Sequence, residues 1–414
     1  MERSKTFCVK PWVHMATYTT GEALMCCVAR EPAGNLNTQT IDEIWNSDHY
    51  KQARLRMLQG KKVSACQKCY DEEFGGIKSH RVIQNYLWEE QRSDNEGHVG
   101  KDHMDMLLSL TREDGTLDAS PISFDFRLGN TCNLQCVMCG PKDSSKWVTF
   151  AKQLGQDMSN WDTSKFNWVE NEKFWTDQFL PLLPNINHLI LAGGEPMYLK
   201  QHTKLLEKIV DSGHANHIKI RYHSNATIIP SNRIFELWKE FEYIDLCLSI
   251  DCYEEKNSYI RYPDHWNDIV DTLHMVDTAP KNIGPRINCT INAINMFYMP
   301  EYIEWLQSQK FKKVSQGEIF KGLPFVGYVH GPTHLNCKAL PEKIKTIIAD
   351  KFDDWYKGYD EKWFSLDRIY SAKEFMLSED KSKHHDEFKK YINQIDRIRG
   401  TDFTKTFPEL AALI

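Results

Sequence analysis

Three closely spaced cysteines are where this chain could do chemistry. Cys132, Cys136 and Cys139 lie in the stretch Gly129-Asn-Thr-Cys-Asn-Leu-Gln-Cys-Val-Met-Cys-Gly140, a C-x3-C-x2-C spacing. Three thiolates on one short loop can hold three irons of a four-iron cluster and leave the fourth iron without a protein ligand. An open iron can bind and reduce a further molecule, whereas a fully ligated cluster mainly carries electrons. The competing chemistry is a structural zinc knuckle. Its cysteines usually come as two C-x2-C pairs or as pairs with histidines. No fourth Cys or His lies near enough in sequence to close such a site.

A second set lies upstream. Cys8 is followed by twelve residues, then Gly21, four residues and Cys26, and later comes Cys66-Gln-Lys-Cys69. Cys27 stands beside Cys26 and could replace it. Between the two halves, Thr40-Ile-Asp-Glu-Ile-Trp-Asn opens a helix with a capping-box pattern (Thr40, Glu43) that stops at Gly60. Ile44, Trp45, Leu55 and Leu58 can face its core. The same four cysteines could hold either an iron–sulfur cluster or a zinc ion.

The rest of the chain must position these sets. Its 414 residues suggest two or three domains. A net charge of -6 gives no electrostatic reason to expect nucleic acid as a partner. The twelve cysteines cluster rather than spread, which favours metal ligation in a reducing compartment over a disulfide framework. The first eight residues hold no apolar signal region, and no run is long enough to span a bilayer. A cytoplasmic location, with no membrane partner, is expected.

Residues 1–90 read as a small Cys-rich domain and 91–119 as a polar linker with a short amphipathic piece at Met104–Leu110. Residues 120–325 alternate strands with helices, and 326–414 form a charged helical extension. In that extension His384-His385 and the Asp380–Lys390 stretch read as a solvated helix face. The strand candidates are Ile122–Leu128, His188–Ala192, Ile218–His223, Ile244–Ile250, Arg286–Ile291 and Val314–Ile319. Gln201–Asp211 and Arg233–Phe241 are among the helices. The fold class is α/β, a partial (β/α)6 barrel, in which chemistry gathers at the strand C-terminal ends. Cys247, Cys289 and Cys337 read as buried, apolar-like residues. The aromatic segment around Trp161, Phe166, Trp168, Phe174 and Trp175 packs a helical insertion or lines a substrate groove.

Further motifs follow the other strands. The second strand ends in Leu191-Ala-Gly-Gly-Glu-Pro196, the third in His223-Ser-Asn-Ala-Thr227 and the fourth in Leu248-Ser-Ile-Asp-Cys252. Ser249 and Asp251 share one face of their strand. The cysteine loop, with Gly193-Gly-Glu-Pro196 at the next strand end, resembles the radical S-adenosylmethionine (SAM) enzyme signature. Met138 stands where that family usually has an aromatic.

The resemblance implies that a [4Fe-4S] cluster on Cys132, Cys136 and Cys139 cleaves SAM reductively. The resulting 5′-deoxyadenosyl radical abstracts hydrogen from a substrate. It further implies that Gly193, Gly194, Glu195 and Pro196 meet the methionine amino group. Asn225 would meet the ribose or the carboxylate of SAM, Arg261 its carboxylate and Asn292 its adenine. Ser249 and Asp251 would face the cofactor or substrate. Cys252, where glycine is usual, could donate a hydrogen atom.

The upstream set is similar to the SPASM/twitch auxiliary cluster domain. No further cysteines follow its C-x2-C in Asp71-Glu-Glu-Phe-Gly-Gly76, so one auxiliary [4Fe-4S] cluster on Cys8, Cys26, Cys66 and Cys69 is expected. In most relatives this module follows the barrel, and here it precedes it. The implied partners are SAM, a peptide, protein or small-molecule substrate, and a reductant such as flavodoxin or ferredoxin. The alternatives are a radical SAM methyltransferase or sulfur-inserting enzyme, and a zinc-stabilised binding protein.

Overall fold

A computed structural model describes residues 3–74, 78–89, 100–317 and 319–414. The chain divides into two compact units, and neither is continuous in sequence.

The first unit comprises Met1–Thr131, Trp161–His223 and Ser231–Asp245. Its strands are β1 (His14–Thr17), β2 (Glu22–Leu24), β3 (Gly34–Asn35), β4 (Ser123–Arg127), β5 (His188–Ala192) and most of β6 (Lys219–Ser224), in the order β3-β2-β1-β4-β5-β6. β1, β4, β5 and β6 are parallel neighbours, with His14 opposite Ser123 and Ser123 opposite His188. β2 and β3 pair antiparallel at the edge. The Cys-rich N-terminal segment therefore adds strands to the same sheet as β4.

Alternation along β4 sends its side chains to opposite faces. Phe124 and Phe126 pack against Phe179, and Phe126 also meets Trp168, Phe174 and Trp175. Each such aromatic buried contributes roughly 2–3 kcal/mol. The aromatic insertion is thus core packing at these positions. On the other face the Ser123 hydroxyl lies 2.8 Å from His14 Nδ1 and 3.3 Å from His188 Nδ1.

The capping box forms: Thr40 Oγ1 accepts from the Glu43 amide at 3.2 Å, and Glu43 Oε2 accepts from the Thr40 amide at 2.7 Å. The helix expected to run to Gly60 is instead two, Ile41–Trp45 and Asp48–Leu58. The break falls where Asn46 Oδ1 turns to accept from the Leu117 amide at 3.0 Å and Arg54 Nη1 at 2.9 Å. This rotates the second helix, so Tyr50, Ala53, Arg54 and Met57 are buried and Leu58 is 43% exposed, against the expected core role of Leu58. Residues 91–99 of the expected linker lie outside the described residues; after them the helix Gly100–Ser109 buries Met104, Leu107 and Leu108.

The second unit comprises Cys132–Asn160, Ser224–Pro230 and Leu246–Ile414. It holds the end of β7 (Tyr243–Ser249), then β8 (Ile283–Ile291) and β9 (Phe325–Tyr328), in the order β7-β8-β9. β8 runs parallel to β9, with Asn288 opposite Phe325. Along the chain β4 to β9 alternate with helices, which makes this the expected α/β, barrel-like fold with a helical C-terminal extension.

The sixth strand is not at Val314–Ile319. The amides of Lys313 and Val314 are taken by the Asp277 carboxylate at 2.7 and 3.0 Å, and Ser315 stands at φ +53. Backbone bonded to a side chain in a turn is lost to a ladder, and Phe325–Tyr328 supplies the strand. In the extension the helices Glu342–Lys357, Phe364–Leu377 and His385–Arg399 are the long ones among the described residues. The last buries Phe388, Ile392 and Ile395. Among the described residues no helix is long and apolar enough to cross a membrane.

Candidate metal and cofactor sites

In the first unit the pairing of β4 with β5 continues beyond both strands. The amides of Leu128, Gly194 and Glu195 donate to the carbonyls of Ala192, Gly129 and Thr131 at 3.0, 2.8 and 2.9 Å. A Cβ on Gly194 would lie 2.1 Å from the Thr131 carbonyl oxygen, and one on Gly193, at φ +130, 2.6 Å from that of Gly129. Only glycine permits this approach. Both glycines are required to seat the turn on the backbone that leads into Cys132. Glu195 is buried, and its Oε1 accepts from the Met197 amide at 3.0 Å, capping the turn that Pro196 begins.

In the second unit the three cysteines follow one another on an irregular loop. Cys132 and Cys136 are buried and Cys139 is half-buried. The loop is stitched to the chain after β7: the Gln135 amide donates to the Tyr262 carbonyl at 2.5 Å and the Val137 amide to that of Ile260 at 2.8 Å. N–H groups face the sulfurs. The Leu134 amide is 3.4 Å from Cys132 Sγ, Asn225 Nδ2 is 3.9 Å from the same sulfur, and Arg261 Nη1 is 3.9 Å from Cys136 Sγ. Such donors favour thiolate over thiol. A hydrogen bond from Cys139, with help from Arg261 and against burial, lowers the Cys136 thiol, while Cys139 is pushed up. Cys132, Cys136 and Cys139 pack into one cluster, with N–H donors aimed at two of the three sulfurs, and this donor set suits thiolate ligation of a cluster.

Asn225 ties its turn to this loop. Its Nδ2 donates to Asn133 Oδ1 at 2.9 Å and its Oδ1 accepts from the Thr227 hydroxyl at 2.7 Å, while Asn133 Nδ2 donates to Thr227 Oγ1 at 2.8 Å. Arg261 is ion-paired to Asp251 at 2.8 Å, and Asp251 Oδ1 accepts from the Thr290 amide at 2.7 Å. Ser249 is half-buried. Asn292 is buried, with Oδ1 accepting from the Ile294 amide at 2.9 Å and Nδ2 donating to the Thr290 carbonyl at 3.1 Å. Its amide is engaged in a loop turn. Cys252 is buried, and burial pushes its thiol up to about 12. At neutral pH it keeps its S–H hydrogen. Asn133 and Thr227 link the two turns, Asn257 Oδ1 accepts from the Asp251 amide at 3.0 Å and Asn295 Nδ2 donates to the Asp251 carbonyl at 2.9 Å; sequence reasoning assigned none of the four a role. Asn133 had a signal in its place between two of the cysteines, and Thr227 in closing the motif His223–Thr227.

The upstream set lies in the first unit. Cys8, Cys26 and Cys69 are buried, Cys66 is half-buried and Cys27 is exposed. Burial pushes the Cys8 thiol up to about 11, and it raises Cys26, Cys66 and Cys69 as well. Cys26 feels Cys8 and Cys66, whereas Cys27 feels Asp125 and Arg127 first after burial. Among the described residues no three Cys, His, Asp or Glu side chains close around a single ion.

Two family models match the chain. One, described as the radical SAM superfamily, covers residues 126–306. The other, SPASM, an iron–sulfur cluster-binding domain, covers residues 8–70. The second begins at Cys8 and ends just past Cys69. No match was found among curated proteins. Similar solved structures include native anSMEcpe with bound AdoMet and Cp18Cys peptide (15% identity, TM-score 0.36, 57% of this chain and 59% of that one). Another is Streptococcus suis SuiB bound to precursor peptide SuiA (12% identity, TM-score 0.35, 74% and 63%). The chain thus spans about three fifths of the length of these proteins. Likenesses this distant carry no argument about activity.

Proposed function

The chain belongs to the radical SAM superfamily and carries an N-terminal iron–sulfur cluster-binding domain, and from this premise we propose that it reductively cleaves SAM and abstracts hydrogen from a peptide or protein substrate. Cys132, Cys136 and Cys139 would hold the [4Fe-4S] cluster that SAM binds. Cys8, Cys26, Cys66 and Cys69 would hold one auxiliary cluster, and a flavodoxin or ferredoxin would supply reducing electrons in the cytoplasm. The domain division at 90, 119 and 325 is part of this reading. The chemistry the bound cluster supplies is one electron to the sulfonium of SAM, giving methionine and a 5′-deoxyadenosyl radical.

The chain's own groups serve positioning and charge. Gly193 and Gly194 seat their turn on residues 129–131. The Leu134 amide, Asn225 and Arg261 favour the thiolate form of Cys132 and Cys136. Asp251 holds Arg261 through Nε at 2.8 Å, and in this reading the guanidinium meets the SAM carboxylate. Glu195, Asn225, Ser249 and Asn292 are the remaining groups assigned to SAM. Cys252, protonated by burial, holds a hydrogen atom that a substrate radical can take.

The observation that carries this reading is the three-cysteine loop with N–H donors at its sulfurs. The test is anaerobic reconstitution with iron and sulfide, then incubation with SAM and a strong reductant. Expected are about eight irons per chain and formation of 5′-deoxyadenosine. Zinc without iron, or no 5′-deoxyadenosine, overturns the proposal. With candidate peptides, product mass separates loss of hydrogen from gain of a methyl group or sulfur.

A further inference from the structure

We propose that Arg399, at the end of the C-terminal helix, is a positioning residue for the Cys132–Cys139 loop and the source of its uncompensated positive charge, so that it raises the reduction potential of the cluster held there. This rests on the cluster assignment above.

Four consecutive carbonyls of the loop are each capped by a side chain. Leu134 O accepts from the Ser144 hydroxyl at 2.5 Å, Gln135 O from Arg399 Nη2, Cys136 O from Trp147 Nε1 at 2.9 Å and Val137 O from the Tyr391 hydroxyl at 2.7 Å. Two of the four caps, Arg399 and Tyr391, come from the helix His385–Arg399, more than 250 residues away in sequence. Arg399 Nη1 also donates to the Tyr259 carbonyl at 3.1 Å, and its guanidinium carbon lies 4.9 Å from the ring centres of both Phe150 and Tyr262. The side chain is therefore fixed by two carbonyls and two aromatic faces.

The two arginines beside the loop differ in one respect. Arg261 is neutralised by Asp251 at 2.8 Å. No carboxylate pairs with Arg399 among the described residues, and Cys136 feels its charge. A four-iron cluster becomes more negative when it accepts an electron, and a nearby fixed cation favours that state. Hydrogen bonding and net charge around such clusters set their potentials. Tyr391 holds the adjacent carbonyl without bringing charge, so it is the internal control.

The experiment is a potentiometric titration of the reconstituted full chain, followed by the electron paramagnetic resonance signal that added SAM perturbs. Iron content is measured in parallel. Arg399→Gln is expected to move the midpoint to more negative potential, Arg399→Lys to keep it near that of the wild type, and Tyr391→Phe to leave it unchanged. An Arg399→Gln protein with full iron and an unshifted midpoint overturns the proposal. So does a Tyr391→Phe shift as large as that of Arg399→Gln. If Arg399→Gln binds no iron, Arg399→Lys decides: wild-type iron and potential support the role of charge, and loss of the cluster there too rejects it. Absence of any SAM-sensitive signal in the wild type would instead refute the cluster assignment.

Discussion

The two cysteine sets, both proposed to hold clusters, are built by different means. Cys132, Cys136 and Cys139 sit within eight residues on one loop, and backbone, Asn225 and Arg261 N–H groups meet two of the sulfurs. The other set draws Cys8, Cys26, Cys66 and Cys69 from segments up to 61 residues apart, and burial raises every one of its thiols. A local set is prepared for metal by its own loop and its polar neighbours. A dispersed set is brought together by folding, and metal must displace its protons.

The largest expected effect separates the sets by substitution. Cys136→Ala should reduce 5′-deoxyadenosine formation to background and remove about half of the iron, and Cys69→Ala should remove the other half while SAM cleavage persists. Loss of cleavage in both proteins would show that the sets do not act independently.

Next comes the support of the loop. Gly194→Ala forces a Cβ to within 2.1 Å of a backbone oxygen that cannot give way. Overpacking of this kind costs roughly 3 kcal/mol. The loop set should lose iron, read in a Cys69→Ala background, while the upstream set keeps it, read in a Cys136→Ala background.

A smaller contrast lies in pH. The Cys8 thiol is raised in the folded chain from 9.0 to about 11, so the folded state holds its proton longer than the unfolded state. That stability is fully present below pH 9 and is lost as pH climbs towards 11. Urea titrations of iron-free protein from pH 8 upward should therefore show destabilisation that a Cys8→Ala variant reduces. A variant as pH-sensitive as the wild type would contradict it.

The smallest effect concerns Ala226, a non-glycine residue at φ +64. Ala226→Gly relieves left-handed strain of about 1 kcal/mol, partly offset by the freedom glycine gains when unfolded. A slightly higher melting temperature with unchanged iron content is expected.

Strands β4 to β8 were legible because apolar runs of strand length lie between turn residues. The sixth strand was not, since Val314 has the right residue type but Asp277, 37 residues earlier, takes its amide. The same limit applies to the glycine pair. Its turn could be read from composition, but the close approach to Thr131 could not. Nor does the charged stretch near the C-terminus reveal that Arg399 and Tyr391 hold the carbonyls of Gln135 and Val137.

By itself the sequence determined which atoms can bind metal. Thiol identity and a spacing of three or four residues are local properties that survive in any fold. Tertiary structure decided which sulfurs meet N–H groups, which arginine is paired with a carboxylate and which of the upstream thiols are buried. Those outcomes depend on burial and on partners distant along the chain, and neither is written in the spacing of the cysteines.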